Sequence, residues 1–142
     1  MVSDGSPPES SPLITVLLID DEEVHRKYWS DALRNSAFHY SVLEAETGEA
    51  GFHLYQHQPV DCVVLDLDMP ESGLFTLVRL IPDLERPQIP VVVLTKLMQA
   101  TLLELVKKYG AYACLIKQFS STEDLANIIQ QAVTSIKPAR DR

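Results

Sequence analysis

Four short apolar runs recur along the chain. They are LITVLLID (13–20), VDCVVLD (60–66), IPVVVLT (89–95) and ACLIK (113–117). A strand that is covered on both faces lacks polar alternation, so continuous runs of this length indicate the strands of a buried parallel sheet. A fifth run, YSVLEA (40–45), alternates between apolar and polar positions and is typical of an edge strand. The pattern therefore predicts five strands.

The segments between these runs have the period of amphipathic helices. The predicted helices are EEVHRKYWSDALRNS (22–36), TGEAGFHLYQHQ (47–58), GLFTLVRLIPDL (73–84), QATLLELVKKYG (99–110) and SSTEDLANIIQQAVTSI (120–136). The apolar stripe of the first helix, which we expect to face the core, consists of Val24, Tyr28, Ala32 and Leu33. Thr47 is a suitable N-cap for the second helix, and Gly110 follows two lysines, as expected at the end of the fourth.

Strand and helix alternate throughout, and the sequence shows no internal repeat. Short connections and right-handed crossovers favour an α/β fold: a flavodoxin-like, doubly wound, five-stranded parallel sheet with strand order 2-1-3-4-5 and helices on both faces. In such a sheet, ligands bind beyond the carboxyl ends of the strands. The residues at those ends are therefore the candidates for function.

Each core strand runs into a polar residue at its carboxyl end. These residues are Asp20 and Asp21 on the first strand, Asp66 on the third, Thr95 on the fourth and Lys117 on the fifth. Neighbouring strands lie about 4.8 Å apart, so Asp66 is central and the long side chain of Lys117 can reach it from two strands away. Three carboxylates at one point must take up a proton or hold a cation. Mg²⁺ binds such oxygen ligands together with phosphate groups, which suits this edge to phosphoryl transfer.

Four segments resemble, in order and spacing, the receiver domain of two-component response regulators. LLIDDEE (17–23) resembles its acidic-pair segment, VVLDLDMP (63–70) its phosphoacceptor segment, VVVLT (91–95) its hydroxyl-bearing strand and GAYACLIK (110–117) its lysine segment. The resemblance covers residues 13–136, which we assign to the receiver domain. A flexible leader (1–12) and a short tail (137–142) would flank it.

The resemblance implies a role for each residue at the strand ends. Asp66 would be the nucleophile that accepts a phosphoryl group from a histidine kinase or a histidine phosphotransfer domain. The residues implied to bind Mg²⁺, with Mn²⁺ as an alternative ion, are Asp20 through water, Asp21, Asp66 and the backbone carbonyl of Asp68. The implied contacts to the phosphoryl oxygens are Thr95 and Lys117. On this interpretation the buried strand is a rigid mount for an exposed nucleophile.

The switch region departs from the receiver pattern. Cys114 occupies the place of the family's aromatic residue, and Tyr112 could replace it because residues two apart in a strand share a face. Gln118 follows Lys117 where the family has proline. A cis bond before glutamine would cost about 2.5 to 4 kcal/mol, so we predict a trans bond and an altered loop.

The loops beside the site differ as well. Lys96 replaces a small residue, and it could cover the pocket, pair with Asp68 or point outward. The side chain of Asp68 could have a chemical role or simply face water. Two residues separate Pro70 from Gly73, where the family usually has three. The acceptor residues thus match the family, whereas the output route is predicted to be modified.

Composition and charge limit the expected partners. The net charge of -8 is opposite to the basic surface that nucleic-acid binding requires, so we expect no direct nucleic-acid contact. The leader lacks the features of a signal peptide, and no run reaches the roughly 18 apolar residues of a membrane helix. We expect a cytoplasmic chain with no membrane contact, in which Cys62 and Cys114 are buried free thiols.

Because no output domain fits after Ile136, we expect the signal to pass to another protein, or to another part of a larger protein such as a hybrid kinase. The face for this contact would be formed by the fourth helix, fifth strand and fifth helix. Candidate contacts there are Lys107, Lys108 and Tyr109. We expect no enzymatic activity on a separate substrate, only gain and loss of the chain's own phosphoryl group.

Three alternatives stay open. A degenerate receiver would keep the fold and act by protein contacts without phosphorylation, as the changes at Cys114, Gln118 and Lys96 allow. The DLDMP segment (66–70) also resembles the Asp-x-Asp motif of haloacid-dehalogenase-type phosphatases, although that family places it on the first strand. His53 and His57 share a helix face at metal-ligand spacing, but no third ligand is evident and an exposed face explains them better.

Overall fold

The computed structural model describes residues 13–69, 73–81, 89–97 and 99–140, with the backbone alone for 136–140. Several sequence-based predictions fall outside the described residues. They are the flexible leader (1–12), the position of Pro70, the end of the third predicted helix (82–84) and the last two residues of the tail (141–142).

A five-stranded parallel sheet lies at the centre of the described chain. Its strands are β1 (Thr15–Ile19), β2 (Ser41–Ala45), β3 (Cys62–Asp66), β4 (Val91–Thr95) and β5 (Ala113–Ile116). They are ordered β2-β1-β3-β4-β5, and every neighbouring pair is parallel. The predicted strand order is confirmed, and the alternating run at 40–45 is the edge strand β2. The carboxyl ends of β1, β3 and β4 therefore meet at one edge of the sheet.

Within the described residues there are five α-helices, of which four lie between successive strands and the fifth follows β5. They are α1 (Glu23–Arg34), α2 (Gly48–His57), α3 (Gly73–Leu80), α4 (Ala100–Lys108) and α5 (Thr122–Arg140). The predicted cap is present, since the Thr47 side chain accepts the Ala50 N–H at 3.0 Å. Gly110 ends α4 with φ of 105°, a left-handed conformation that glycine adopts without strain. The backbone of α5 continues to Arg140, beyond Ile136, where we expected the domain to end.

The alternation of side chains along the strands divides the core into two layers. Leu18 on one face of β1 belongs to a buried cluster with Trp29 of α1 and Ile129 of α5. Leu17 on the opposite face belongs to a second cluster with Leu77 of α3 and Val106 of α4. Helices thus cover both faces of the sheet, as predicted. This double cover explains why the strands read as uninterrupted apolar runs.

The buried face of α1 differs from the predicted stripe. Val24 and Tyr28 are 79% and 59% exposed, whereas Trp29 and Leu33 are buried. The reason is a polar anchor on the neighbouring edge strand, because Glu44 of β2 receives hydrogen bonds from three α1 side chains. These are Ser30 Oγ at 2.9 Å, Arg26 Nε at 3.2 Å and Arg34 Nη2 at 3.3 Å. These contacts fix the rotation of the helix, which hydrophobic spacing alone did not predict.

Removing the Glu44 anchor should therefore destabilise the fold. In Glu44→Ala, the Ser30 hydroxyl, which is fully buried, would lose its acceptor and two guanidinium groups would lose their partner. We expect the free energy of unfolding to fall by about 1 to 3 kcal/mol in urea denaturation. Glu46→Ala, at an exposed position just after β2, should change it by less than about 0.5 kcal/mol. Equal effects of the two substitutions would show that the anchor does not hold α1.

Candidate functional site

Three carboxylates converge where β1 and β3 end. Asp66 is the last residue of β3, and Asp20 directly follows β1, where its backbone N–H bonds the Ala45 carbonyl oxygen at 3.0 Å. Oxygens of Asp20, Asp21 and Asp66 all lie within 4.8 Å of one another. Asp20 is fully buried and Asp66 is 3% exposed, whereas Asp21 faces solvent. The structure thus brings together the acidic residues that the sequence placed at these strand ends, and we call them the acidic pocket.

One oxygen of the acidic pocket has no partner. Asp20 Oδ1 accepts the Glu22 N–H at 2.9 Å, but Asp20 Oδ2 is buried and makes no hydrogen bond within the described structure. Burial, reinforced by the nearby negative charge of Asp66, raises the pKa of Asp20 to about 7. A buried carboxylate oxygen without a donor, beside two further carboxylates, is the donor set that a hard divalent cation prefers. The residues present therefore fit Mg²⁺ or Mn²⁺.

A positive charge borders the acidic pocket on the side of β5. Lys117 Nζ lies 3.2 Å from Asp66 Oδ1, and the Lys117 side chain is 10% exposed. The backbone N–H of Asp68 donates to the same Asp66 oxygen at 2.9 Å. Lys117 thus reaches across β4 to the central carboxylate, as its length and strand position predicted.

The side chain of Asp68 connects the ends of β3, β4 and β5. Asp68 Oδ1 accepts the Thr95 hydroxyl at 2.7 Å, and Asp68 Oδ2 accepts the Lys96 backbone N–H at 2.9 Å. Lys117 Nζ lies 3.7 Å from Asp68 Oδ2. We call these three groups, the Thr95 hydroxyl, the Lys96 N–H and the Lys117 ammonium, the donor trio. The resemblance assigned only the backbone carbonyl of Asp68 a role, and the one sequence signal for its side chain was a second carboxylate two residues after Asp66.

The loop that carries Asp68 is held by close backbone packing. The Leu67 N–H donates to the Leu94 carbonyl oxygen at 2.9 Å. On the other side, a Cβ on Gly73 would overlap the Leu67 carbonyl, so only glycine allows α3 to begin this close to the loop. Asp68 is therefore presented to the donor trio by a backbone with little freedom to shift.

The accessibility of Asp66 differs from the sequence-based expectation. We expected an exposed nucleophile, but Asp66 is almost fully buried. Asp20 and Lys117 flank its carboxylate, and Asp68, with a side chain that is 19% exposed, shares the Lys117 ammonium with it. The strand end is a rigid mount, as inferred, but the acceptor lies recessed within it.

Comparison with known proteins agrees with this fold and site. The family model for the response regulator receiver domain matches residues 16–130. The chain belongs to the response regulator receiver family. Its parallel sheet with order 2-1-3-4-5 and the acidic pocket at Asp20, Asp21 and Asp66 are those of a receiver domain of two-component systems. The DLDMP segment (66–70), which also resembled a phosphatase motif, lies within the residues that the receiver model matches.

Relatives and solved structures support the same assignment. The chain is 31% identical over 122 residues to the transcriptional regulatory protein PdtaR of Mycobacterium tuberculosis, covering 86% of this chain and 58% of that protein. It is 30% identical over 110 residues to a probable chemotaxis protein CheY of Rhizobium etli, covering 75% and 83%. A receiver domain structure from Clostridium thermocellum superposes with a TM-score of 0.79 at 26% identity, covering 89% and 99%. The chain thus spans less than two thirds of PdtaR.

The receiver's unusual Gln118 helps to link two loops of the site. As predicted, the Lys117–Gln118 bond is trans, since no cis peptide bond occurs in the described residues. Gln118 Nε2 donates to the Lys96 carbonyl oxygen at 3.1 Å, while the Lys96 N–H bonds Asp68. Lys96 thus meets Asp68 through its backbone, and residue 96 as a whole is exposed. The backbone of Lys96 is therefore held at both its N–H and its carbonyl.

Tyr112 and Cys114 do not share a face of the receiver, so that interpretation is wrong. Tyr112 precedes β5, which begins at Ala113, and it lines a groove with Phe38 and residues of α5. Cys114 packs instead against the core cluster that contains Val106 of α4. The two-residue rule failed because the chain is not yet in strand conformation at Tyr112. The replacement of the missing aromatic switch by Tyr112 stays a prediction, and the positions of Tyr112 and Cys114 do not support it.

The remaining side candidates have structural explanations. His57 Nδ1 lies 2.8 Å from the His53 carbonyl oxygen, and both histidines are exposed. Among the described residues, the acidic pocket is the one group with metal-ligand spacing.

Cys62 and Cys114 are free, and burial raises the pKa of both thiols, although Cys114 is only half-buried rather than fully buried as expected. In the described part of the chain, no helix is long and apolar enough to cross a membrane.

The buried carboxyl of Asp20 should make the metal-free receiver less stable as pH rises. Its folded pKa of about 7 exceeds the ordinary value of 3.8, so the folded chain keeps a proton that the unfolded chain releases. Stability is therefore lost progressively between these values and stays lost above about pH 7. Asp20→Asn, which keeps the acceptor for Glu22, should raise the free energy of unfolding in EDTA by about 1 to 3 kcal/mol at about pH 8, and by less towards pH 5.

Urea denaturation at several pH values measures this gain, with Glu46→Gln as the control for loss of an exposed carboxylate. The control should shift stability little and without this pH trend. A gain for Asp20→Asn that is equal at both ends of the range would contradict the raised pKa.

Proposed function

We propose that this receiver accepts a phosphoryl group on Asp66, with Mg²⁺ or Mn²⁺ bound in the acidic pocket, and then signals through a protein partner. The observation that carries the proposal is the position of the Lys117 ammonium, 3.2 Å from a recessed Asp66 carboxylate that also lines the acidic pocket. This geometry offers a nucleophile with positive charge close to the point of transfer. Electrostatic stabilisation of that kind is the main catalytic need of phosphoryl transfer.

The chain's own residues position the transfer. An oxygen of the Asp66 carboxylate attacks phosphorus while the bond from phosphorus to the donor breaks, and the bonding electron pair leaves with the donor. Lys117 neutralises charge on the transferring group, and the hydroxyl of Thr95, at the neighbouring strand end, donates to one of its oxygens. β3 holds Asp66 rigidly because the strand is buried on both faces.

The cation's place in this proposal rests on the acidic pocket. Asp21 and Asp66 would bind it directly, Asp20 through water and Asp68 through its backbone carbonyl. When bound, such an ion supplies positive charge to the phosphoryl oxygens. The unpartnered Asp20 Oδ2 supports the assignment, because a buried carboxylate oxygen without a donor is costly unless it is protonated or faces a cation.

The proposed partners lie on both sides of the reaction. A histidine kinase or a histidine phosphotransfer domain would supply the phosphoryl group, in the cytoplasm. The output face would comprise α4, β5 and α5, where Lys107 and Lys108 are exposed. Large apolar side chains that are at least one third exposed accompany them, namely Tyr109, Tyr112 and Phe119. Such a face suits a protein partner, and we propose no activity on a separate substrate and no direct contact with nucleic acid.

Phosphorylation of the isolated protein tests the proposal directly. Incubation with acetyl phosphate and Mg²⁺ should add the mass of one phosphoryl group to the wild type in intact mass spectrometry. Asp66→Asn should show no addition, because the amide is not a nucleophile towards phosphorus, and EDTA should abolish the addition in the wild type. Glu46→Gln is the matched control and should behave as the wild type.

The outcome also decides between the proposed function and the degenerate receiver. A folded wild type that gains no phosphoryl mass from acetyl phosphate, or from a phosphorylated histidine donor, would leave the protein-interaction module as the function. The departures at Cys114 and Gln118 would then mark a receiver that has lost its acceptor role.

A further inference from the structure

The carboxylate of Asp68 lies where an anion attached to Asp66 would find its hydrogen-bond donors. All three members of the donor trio already contact it: Thr95 ends β4, Lys96 lies just beyond β4, and Lys117 lies just beyond β5. Its oxygens divide these groups, since Oδ1 accepts the hydroxyl, and Oδ2 accepts the N–H and forms an ion pair with the ammonium at 3.7 Å. A carboxylate with this set of contacts mimics two oxygens of a phosphoryl group.

Two members of the donor trio, the Thr95 hydroxyl and the Lys96 N–H, can each serve only one anion at a time, whereas the Lys117 ammonium has three protons. The Thr95 side chain is fully buried, and its oxygen already accepts the Leu97 N–H at 3.1 Å, so its proton serves one acceptor. The backbone N–H of Lys96 likewise has one proton. The carbonyl oxygen of the same residue accepts the Gln118 side chain, which restrains the Lys96 backbone. A phosphoryl group on Asp66 that uses the hydroxyl and this N–H must therefore take them from Asp68.

Displacement would also bring like charges together. The Asp68 backbone N–H bonds Asp66 Oδ1, and Lys117 Nζ lies between the two carboxylates at 3.2 Å and 3.7 Å. The fixed loop keeps residue 68 beside residue 66, so the released carboxylate would stay near the new negative charge unless its side chain turns outward. Repulsion between such neighbouring anions opposes the transfer.

We infer that the Asp68 carboxylate is an internal occupant of the phosphoryl-binding position, which phosphorylation of Asp66 must displace. The inference rests on the proposed function and deepens it. Asp68 then acts as a built-in competitor that holds the donor trio in place before transfer and slows the arrival of the phosphoryl group. Variants at Asp68 should accept phosphate faster than the wild type does.

Two substitutions separate the charge of Asp68 from its size. Asp68→Asn keeps the volume and one carbonyl oxygen but removes the charge, and Asp68→Ala removes the side chain. With acetyl phosphate and saturating Mg²⁺, both should raise the initial rate of phosphoryl gain by about tenfold, because charge-assisted contacts no longer have to be broken. Glu46→Gln removes an equal charge at an exposed position just after the edge strand β2 and should leave the rate unchanged.

Salt dependence distinguishes occupancy from general repulsion. An effect of charge at a distance is screened at high ionic strength, whereas displacement of a partly buried, contacting carboxylate is screened much less. The acceleration should therefore persist in about 1 M salt, where the screening length is only about 3 Å. A second measurement needs no phosphate: the Lys96 amide hydrogen should exchange faster in metal-free Asp68→Ala than in the wild type.

The outcomes are separable. If no variant and no wild type gains a phosphoryl group, the proposed function fails and the inference falls with it. If all gain it at the same rate, if the acceleration disappears in high salt, or if Lys96 exchange is unaffected, the inference alone is overturned. Acceleration that survives salt, together with faster Lys96 exchange, establishes Asp68 as the occupant.

Discussion

The concentration of negative charge at the carboxyl edge of an apolar sheet is the constraint on which the site depends. Asp20 and Asp66 are both nearly or fully buried, and neither can be fully solvated. The raised pKa of Asp20 shows the cost of this arrangement, since one carboxyl retains its proton well above the ordinary range. The acidic pocket therefore lowers the stability of the fold at its candidate functional site. Lys117 balances part of this negative charge, and a bound cation would balance more of it.

The fold makes this arrangement possible by separating two tasks: the buried strands provide stability, and their carboxyl ends provide the site. The strands β1, β3 and β4 are buried on both faces and gain their stability from apolar contact with helices, so their polar ends contribute little to the core. The parallel order brings β1 and β3 side by side, although Asp20 and Asp66 are distant in sequence. Arg26 connects the two tasks, because it bonds both Glu44 of the edge strand and the backbone carbonyl of Asp20.

Sequence patterns predicted the sheet and the strand-end residues because those features follow from local rules. Apolar runs, caps and the order of parallel strands each have a signal within a few residues, and the acidic residues follow directly from strand ends. The rotation of α1 was missed because Glu44, a residue on another element, decides it. The choice between a chemical role for the Asp68 side chain and simple exposure to water, which the sequence left open, and the orientation of Tyr112 likewise depend on residues of other elements. Contacts between loops, and the residue at which β5 begins, depend on tertiary packing that periodicity does not encode.

The loops around Asp66 form one hydrogen-bonded unit, and this has a consequence for signalling. Asp68 lies in the loop after β3, Lys96 follows β4, and Gln118 lies in the turn after β5, so the chain of contacts from Asp68 through Lys96 to Gln118 crosses three strand ends. The backbone of Lys96 takes part in both contacts, through its N–H and its carbonyl. Any anion that replaces the Asp68 carboxylate must accept the same Lys96 N–H or leave it without this partner. Occupancy of the site and the position of the Lys96 backbone just beyond β4 are therefore physically linked, without the aromatic residue that the family usually places on β5.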